Sequence, residues 1–241
     1  MSSLEIVQAQ IPARNFKEAQ RLPSSKGGGN MIWQEDFAGV NLSSRWTESH
    51  TAGTDGYVML STQNSLRTKR SVLLVSPAST NQQSEIFTLT NLLPTVNRYG
   101  FEGWWSFNSG TGIDSFFFGM EHGVNAGTPL RFDGWVKVKP GGVIAYYPAG
   151  GQTTIVTDWD NIGSNSWHHF KVVMDVSTDK WVSLEIDSVD YTSTVGGQGL
   201  FQEAAGAGTK MFKVFIAVIT NGTNNAQRQV FYDDLVVTIE G

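Results

Sequence analysis

The chain has 241 residues, of which 40% are hydrophobic, and its 22 acidic and 17 basic side chains give a formal net charge of −5. A chain of this length can bury the core of one large β domain without disulfides or a structural metal. The acidic balance argues against nucleic acid as a partner, the lack of cysteine excludes thiol chemistry and disulfides, and no apolar run approaches the roughly 20 residues needed to span a bilayer.

The first 30 residues differ from the rest and are predicted to form an N-terminal arm. Residues 13–22, between two prolines, have the composition of two or three helical turns, and residues 24–30 form a Gly-rich joint. The start of the arm does not resemble a secretory signal peptide. Its spaced apolar side chains are too few for a core and are predicted to bind another protein subunit: Leu4, Ile6, Val7, Ile11, Phe16 and Leu22.

From residue 31 to residue 241 the sequence predicts a single β domain. Apolar stretches separated by turn residues predict fourteen strands and no helix. They lie near residues 31–38, 56–62, 71–77, 84–91, 98–107, 114–121, 131–139, 142–148, 152–158, 167–176, 181–187, 190–194, 211–219 and 229–239. This pattern, without a fixed repeat, is typical of a large antiparallel β-sandwich.

The strand at residues 211–219 alternates between two apolar sets. One face carries Phe212, Val214, Ile216 and Val218, and the other carries Lys213, Phe215, Ala217 and Ile219. Because both sets are mostly apolar, this strand is predicted to be central and buried on both faces.

Several segments resemble those of known jelly-roll domains. The stretches SWHHFKVVMD (166–175) and KWVSLEID (180–187) are similar to a meander of laminin-G-like and concanavalin A-like lectin/glucanase domains. The closing strand VFYDDLVVT (230–238) and the opening WQEDF (33–37), followed by Trp46, resemble strands of carbohydrate-binding jelly rolls. The resemblance implies a jelly-roll β-sandwich of two antiparallel sheets, in a superfamily that contains lectins, glucanases, lyases, adhesion modules and virion proteins.

Aromatic residues supply the candidates for glycan binding. Where two aromatic residues follow each other on a strand, they point in opposite directions, so one of them is predicted to line an open face and stack on sugar rings. The alternative is that both faces are covered. The candidates are Trp105, Phe117, Trp135, Tyr147 and Trp159.

The sequence offers a single set of catalytic candidates. Glu185, Asp187 and Asp190 have the spacing of the Glu-x-Asp-x-x-Glu motif of family-16-type glucanases, in which the first Glu is the nucleophile and the last is the acid/base. The last position here is Asp, one methylene shorter than that motif requires. Residues 187–191 also have the composition of a turn, which explains these Asp residues without catalysis. The sequence therefore favours a protein that is not an enzyme.

Two acidic pairs offer oxygen ligands of the kind that calcium prefers. They are Asp158 with Asp160, and Asp233 with Asp234. No cofactor is required by the sequence, and calcium, if bound at these residues, is expected to have a structural role.

Three functions remain open at this point. The first is a structural or adhesive subunit of an extracellular assembly such as a bacteriophage virion, attached to other subunits by the arm and contacting glycans. The second is a free carbohydrate-binding module or lectin, and the third is a polysaccharide hydrolase or lyase of the same fold. All three place the protein outside the cell or on a virion surface.

Deletion of residues 1–29 tests the predicted arm. We expect the shortened chain to stay folded and to lose assembly, because the six apolar side chains of the arm are removed while the β domain is kept. Light scattering at matched concentrations, with circular dichroism as the folding control, measures both effects. Loss of the folded β domain on this deletion would contradict the assignment of the arm as an attachment device.

Overall fold

A computed structural model describes most of the chain from residue 30 onward. The described ranges are 30–50, 56–66, 70–77, 82–90, 95–108, 113–126, 128–157, 165–204, 211–220 and 229–240. The predicted arm lies outside the described residues, with Leu4, Ile6, Val7, Ile11, Phe16 and Leu22.

The described residues form sixteen strands and one short helix. In chain order these are β1 (Asn30–Glu35), β2 (Thr47–His50), β3 (Tyr57–Ser61), β4 (Ser71–Val75), β5 (Gln83–Thr90), β6 (Arg98–Phe107), β7 (Ile113–Ala126), β8 (Thr128–Lys139), β9 (Val143–Tyr146), β10 (Thr153–Val156), β11 (His168–Asp175), β12 (Lys180–Ile186), β13 (Val189–Asp190), α1 (Thr192–Val195), β14 (Phe201–Ala204), β15 (Met211–Thr220) and β16 (Gln229–Ile239). No described helix has the length and apolar character needed to cross a bilayer.

The strands form two antiparallel sheets of eight strands each. The first sheet has the order β13-β12-β11-β6-β16-β4-β3, with β1 also paired to β16. The second has the order β10-β9-β8-β7-β15-β5-β2, with β14 paired to one end of β8. The predicted jelly-roll β-sandwich is therefore confirmed.

The elements differ from the prediction mainly at polar and very short segments. The strand predicted at residues 190–194 is instead the end of β13 followed by α1, because the Asp190 side chain accepts the Thr192 backbone N–H (2.7 Å) and starts a helical turn. The prediction also lacks β2 and β14. These strands are four residues long and pair with one neighbour each, so their sequences carry little hydrophobic pattern.

The two sheets enclose one large aromatic core. Phe118 of the second sheet stacks on Phe170 of the first, with ring centroids 4.0 Å apart. Tyr232 of β16 is fully buried, and its hydroxyl donates a hydrogen bond to the backbone carbonyl of Phe117 across the sandwich (3.0 Å). Since a buried hydroxyl without a partner is costly, this bond also restricts how the two sheets can shift relative to each other.

Strand β15 is buried on both faces, as the sequence predicts. It lies between β5 and β7, with Phe212, Val214, Ile216 and Val218 in the core. Its other set, which includes Phe215 and Ala217, belongs to a separate apolar cluster on the outer side of the second sheet. The outer side of this sheet therefore carries an apolar cluster of its own, separate from the core.

Gly119 tests the packing of β7 against β8. A Cβ at Gly119 would lie 2.4 Å from the backbone oxygen of Gly134, whereas a Cβ at Gly141 would meet nothing within 4 Å. We expect Gly119→Ala to lower the free energy of unfolding by roughly 1–3 kcal/mol, because the neighbouring strand must shift. Gly141→Ala is the matched control and is expected to change it little. Equal stabilities of the two variants in urea unfolding would contradict this packing.

Candidate functional site

The outer side of the second sheet forms a recessed face. Side chains of β5, β7, β8 and β15 point away from the core here, yet Phe117 is only 6% exposed and Phe215 only 3%. Lys137 lies over the ring of Phe117, Lys213 lies over the ring of Phe215, and Trp135 packs against both. The apolar floor of this face is therefore recessed beneath a layer of longer side chains. We use the name recessed face for the outward side chains of these four strands and of the neighbouring β14.

Three half-buried aromatic residues lie together on the recessed face and form an aromatic platform. Trp135 of β8 has its ring centroid 5.8 Å from that of Tyr147, which in turn lies 6.3 Å from that of Phe201 of β14. Trp135 also packs edge-on against Phe215 (5.3 Å), which fixes its orientation. The Tyr147 hydroxyl donates a hydrogen bond to Gln152 Oε1 (3.0 Å). A platform of this kind offers π surfaces to the C–H faces of sugar rings.

A row of charged residues crosses the recessed face beside the platform. Its members, in order, are Glu85, Lys213, Glu121, Asp133, Arg131 and Glu203. Lys213 lies near one end of this charged row. Its Nζ is 2.6 Å from Glu85 Oε1 and 3.4 Å from Glu121 Oε1. The ammonium also lies 4.6 Å from the ring centroid of Phe87, a cation–π arrangement. The cation is thereby held between two carboxylates and an aromatic ring.

Arg131 lies near the other end of the charged row. Its Nε is 2.9 Å from Asp133 Oδ1, and one terminal nitrogen donates to Asp133 Oδ2 at 3.2 Å. The same terminal nitrogen pairs with Glu203 of β14. The guanidinium also lies 5.6 Å from the ring centroid of Trp135, so the charged row and the aromatic platform meet at this residue.

Two carboxyl groups of this row are buried and adjacent. Glu121 and Asp133 are directly opposite each other in the β7–β8 pairing. Burial, followed by the nearby Glu121 charge, raises the pKa of Asp133 to about 7. Burial also raises the pKa of Glu121, although Lys213 and Arg131 oppose that shift. Perturbed carboxyls on a recessed surface are typical of functional sites.

Three of the five predicted glycan-binding residues lie on the recessed face, namely Phe117, Trp135 and Tyr147. Trp105 does not. It is fully buried in the core between the sheets, where it stacks on His168 at 4.3 Å, so it is wrong as a residue that contacts a sugar. Alternation along β6 sends its neighbour Trp104 outward instead, on the other sheet. Trp159 lies outside the described residues.

The predicted catalytic residues lie on the first sheet, away from the recessed face. Glu185 and Asp190 are paired across β12 and β13 at the edge of that sheet. Asp187 lies in the intervening turn, where its carboxylate binds His168 Nδ1 (2.6 Å) and accepts the His169 backbone N–H (2.8 Å). The Asp187 carboxylate thus connects the turn to the neighbouring strand, as the turn interpretation of this segment expects, and catalysis at these three residues stays an untested prediction.

The calcium candidates are divided between described and undescribed residues. Asp158 and Asp160 lie outside the described residues. Asp233 and Asp234 are buried in β16, and the two oxygens of Asp233 accept the backbone N–H groups of Leu66 and Asp234, each at 2.9 Å. Within the described ranges no group of three or more His, Cys, Asp or Glu side chains could hold a metal ion. A structural calcium site stays a prediction.

Sequence reasoning missed the charged row. Its local signal is the alternation of β8, in which Arg131, Asp133, Trp135 and Lys137 occupy every second position and therefore share one face. In β7 the corresponding signal is Glu121, an isolated charge in an apolar strand.

Comparison with known proteins identifies the fold. No family model matches the chain, and no curated protein matches its sequence. Among solved structures it is similar to an endo-β-1,4-glucuronan lyase from the fungus Trichoderma reesei, with a TM-score of 0.54 at 10% identity, over 87% of this chain and 96% of that one. It is also similar to a carbohydrate esterase of the Shiga toxin-encoding bacteriophage phi24B, with a TM-score of 0.51 at 11% identity, over 89% of this chain and 100% of that one.

The chain has the concanavalin A-like jelly-roll fold. A third similar structure, a cellulose-induced protein, has a TM-score of 0.50 at 14% identity and covers 85% of this chain and 96% of that one. Because these identities are low, the likeness extends to the architecture and does not assign an activity.

Asp133 is expected to make the stability of the protein depend on pH. Burial raises the pKa of Asp133 in the folded state to about 7, whereas the usual pKa of an Asp side chain is 3.8. The resulting stabilisation is fully present below about pH 4 and is lost as the pH rises through about 7. The free energy of unfolding of the wild type, relative to that of Asp133→Asn, should therefore fall as the pH rises from about 4 to about 7. Urea unfolding at a series of pH values measures this difference.

Asp190→Asn is the control, because the pKa of Asp190 is shifted in the opposite direction. Hydrogen bonds from Thr192 lower the pKa of Asp190, so its contribution is present above its usual pKa and is lost as the pH falls. A difference between the wild type and Asp133→Asn that stays constant as the pH rises from about 5 to about 7 would show that Asp133 is already ionised in the folded state, and would contradict the raised pKa.

Proposed function

We propose that this protein binds a polysaccharide chain along the recessed face. One observation carries the proposal: the aromatic platform of Trp135, Tyr147 and Phe201 lies directly beside the charged row, with Arg131 contacting both. Sugar rings present apolar C–H faces together with polar edges. A surface that combines half-buried rings with fixed polar groups matches both parts of such a ligand.

The similar solved structures support the same class of ligand. By their names, one is a lyase of a glucuronan and another is a carbohydrate esterase, and both share the architecture of this chain. Their names describe those proteins. For this chain they support a polysaccharide as the ligand and a site of action outside the cell.

Binding without cleavage is the function that the geometry favours. Glu121 and Asp133 are the carboxyls of the charged row with raised pKa values, but both are almost completely buried beneath the side chains of Lys213 and Arg131. A general acid must come within about 2.6–3.2 Å of the oxygen that it protonates. In this arrangement the two carboxyls position cations, and the cations and aromatic rings are the groups that a ligand can touch.

Cleavage of the bound chain is the second candidate, because a buried carboxyl pair with raised pKa values is the arrangement that acid–base chemistry requires. Release of reducing ends or of unsaturated sugars from a polysaccharide, abolished by Glu121→Gln, would show that the protein is an enzyme. A structural or adhesive role in an assembly such as a virion is compatible with binding, and the deletion of the arm tests it.

Removal of the aromatic platform tests the proposed function. We expect Trp135→Ala and Tyr147→Ala each to weaken binding to a soluble polysaccharide by roughly ten-fold or more, since each loses a stacking surface worth about 1.4 kcal/mol or more. Affinity electrophoresis or calorimetry measures the loss, and circular dichroism checks the fold. Tyr57→Ala, on the other sheet and 40% exposed, is the matched control. Undiminished binding by the Trp135 and Tyr147 variants would remove the recessed face as the glycan site.

A further inference from the structure

The cations of the charged row are held from below by buried carboxylates. The Asp133 side chain is completely buried and contacts Arg131 through both of its oxygens, while 28% of the Arg131 side chain remains exposed. Lys213 lies 3.4 Å from one oxygen of Glu121, whose side chain is 3% exposed. A guanidinium fixed by a two-point contact loses little further freedom when it binds a second carboxylate.

The second carboxylate on Arg131 belongs to Glu203, and it is the most weakly held member of the row. Its side chain is 43% exposed and lies on β14, which pairs only with residues 130–133 of β8 among the described strands. Exposed ion pairs contribute little to stability, so water or another anion replaces such a partner readily. The outer side of Arg131 is therefore a carboxylate-binding position that Glu203 fills in the absence of ligand.

We propose that the polysaccharide is acidic, and that a uronate carboxylate takes the place of Glu203 on Arg131. This inference rests on the proposed function and names its substrate class. A sugar ring that packs against Trp135 lies beside the guanidinium, which is 5.6 Å from the centroid of the Trp135 ring. A carboxyl group on the sugar then meets Arg131 in the planar two-point geometry that distinguishes Arg from Lys.

The charge of the row is compatible with an anionic ligand. Its four carboxyl groups face two cations, but burial raises the pKa of Asp133 to about 7, which lowers the negative charge of the row near neutral pH. Displacement moves the Glu203 carboxylate into water and leaves Arg131 with its buried partner alone. Two further cations, Lys137 and Lys139, lie farther along β8, where both pair with Asp114.

Calorimetry on the full chain tests the inference with two probes of equal length, oligoglucuronates and cello-oligosaccharides. We expect the wild type to bind the acidic probe at least about ten-fold more tightly, with an affinity that falls as salt increases. Glu203→Gln should raise the ratio of acidic to neutral affinity several-fold, because it removes the competing carboxylate. Arg131→Lys should lower this ratio several-fold, since it keeps the charge and loses the two-point contact.

Glu185→Gln, on the outer face of the other sheet, is the matched control for the loss of one carboxylate and should leave the ratio unchanged. Equal or tighter binding of the neutral probe that depends on Trp135 would overturn the acidic substrate class and leave the proposed function in place. A Glu203→Gln variant with a lowered ratio would overturn the exchange. Binding of neither probe nor any other polysaccharide would overturn the proposed function as well.

Discussion

The pairing register of β7, β8 and β15 is the constraint on which the rest of the structure depends. Each strand sends one set of side chains into the core and the other onto the recessed face, so Phe118 and Phe117 are neighbours in sequence on opposite sides of the sheet. A slip of one residue would exchange the two sets and bury the charged row in the apolar core. The large energetic penalty for that exchange fixes Glu121 opposite Asp133. The hydrophobic core therefore determines the position of the polar site as well as the fold.

Burying two adjacent carboxyls is unfavourable, and the neighbouring cations and the raised pKa values of the two carboxyls offset this cost. An isolated ionised carboxylate in an apolar environment loses its hydration, whereas each carboxyl here has a cation within hydrogen-bonding or ion-pair distance. Burial also makes the stabilities of these charged residues depend on one another, because removing Arg131 or Lys213 leaves a buried carboxylate without its cation. The row therefore behaves as a unit, and Glu203, with its exposed side chain, is the member that can change partner at least cost.

The sequence is sufficient to predict the sandwich, since alternation and turn residues are local signals. It also predicts that β15 is buried on both faces, because both of its alternating sets are apolar. It does not reveal which face of which sheet is recessed, and the choice of Trp105 fails for that reason. The charged row is assembled from five strands that lie far apart in sequence, and it joins Glu85 of β5 to Glu203 of β14. No local spacing encodes such a set, although the alternation of β8 marks one of its sides.

The outer faces of the two sheets both carry buried acidic groups, and the two faces differ in what surrounds those groups. On the first sheet Glu102 is buried, and its Oε1 lies 3.1 Å from His169 Nε2. The imidazole of His169 in turn packs against the ring of Trp104, with centroids 5.0 Å apart. On the second sheet the buried acids are satisfied by Arg131 and Lys213, long side chains whose remaining donors and apolar stems face outward beside aromatic rings. A buried acid that orients an accessible cation prepares that cation for an external anion. Two long cations that lie above buried acids and beside half-buried rings are therefore the reason for proposing the recessed face as the ligand-binding surface.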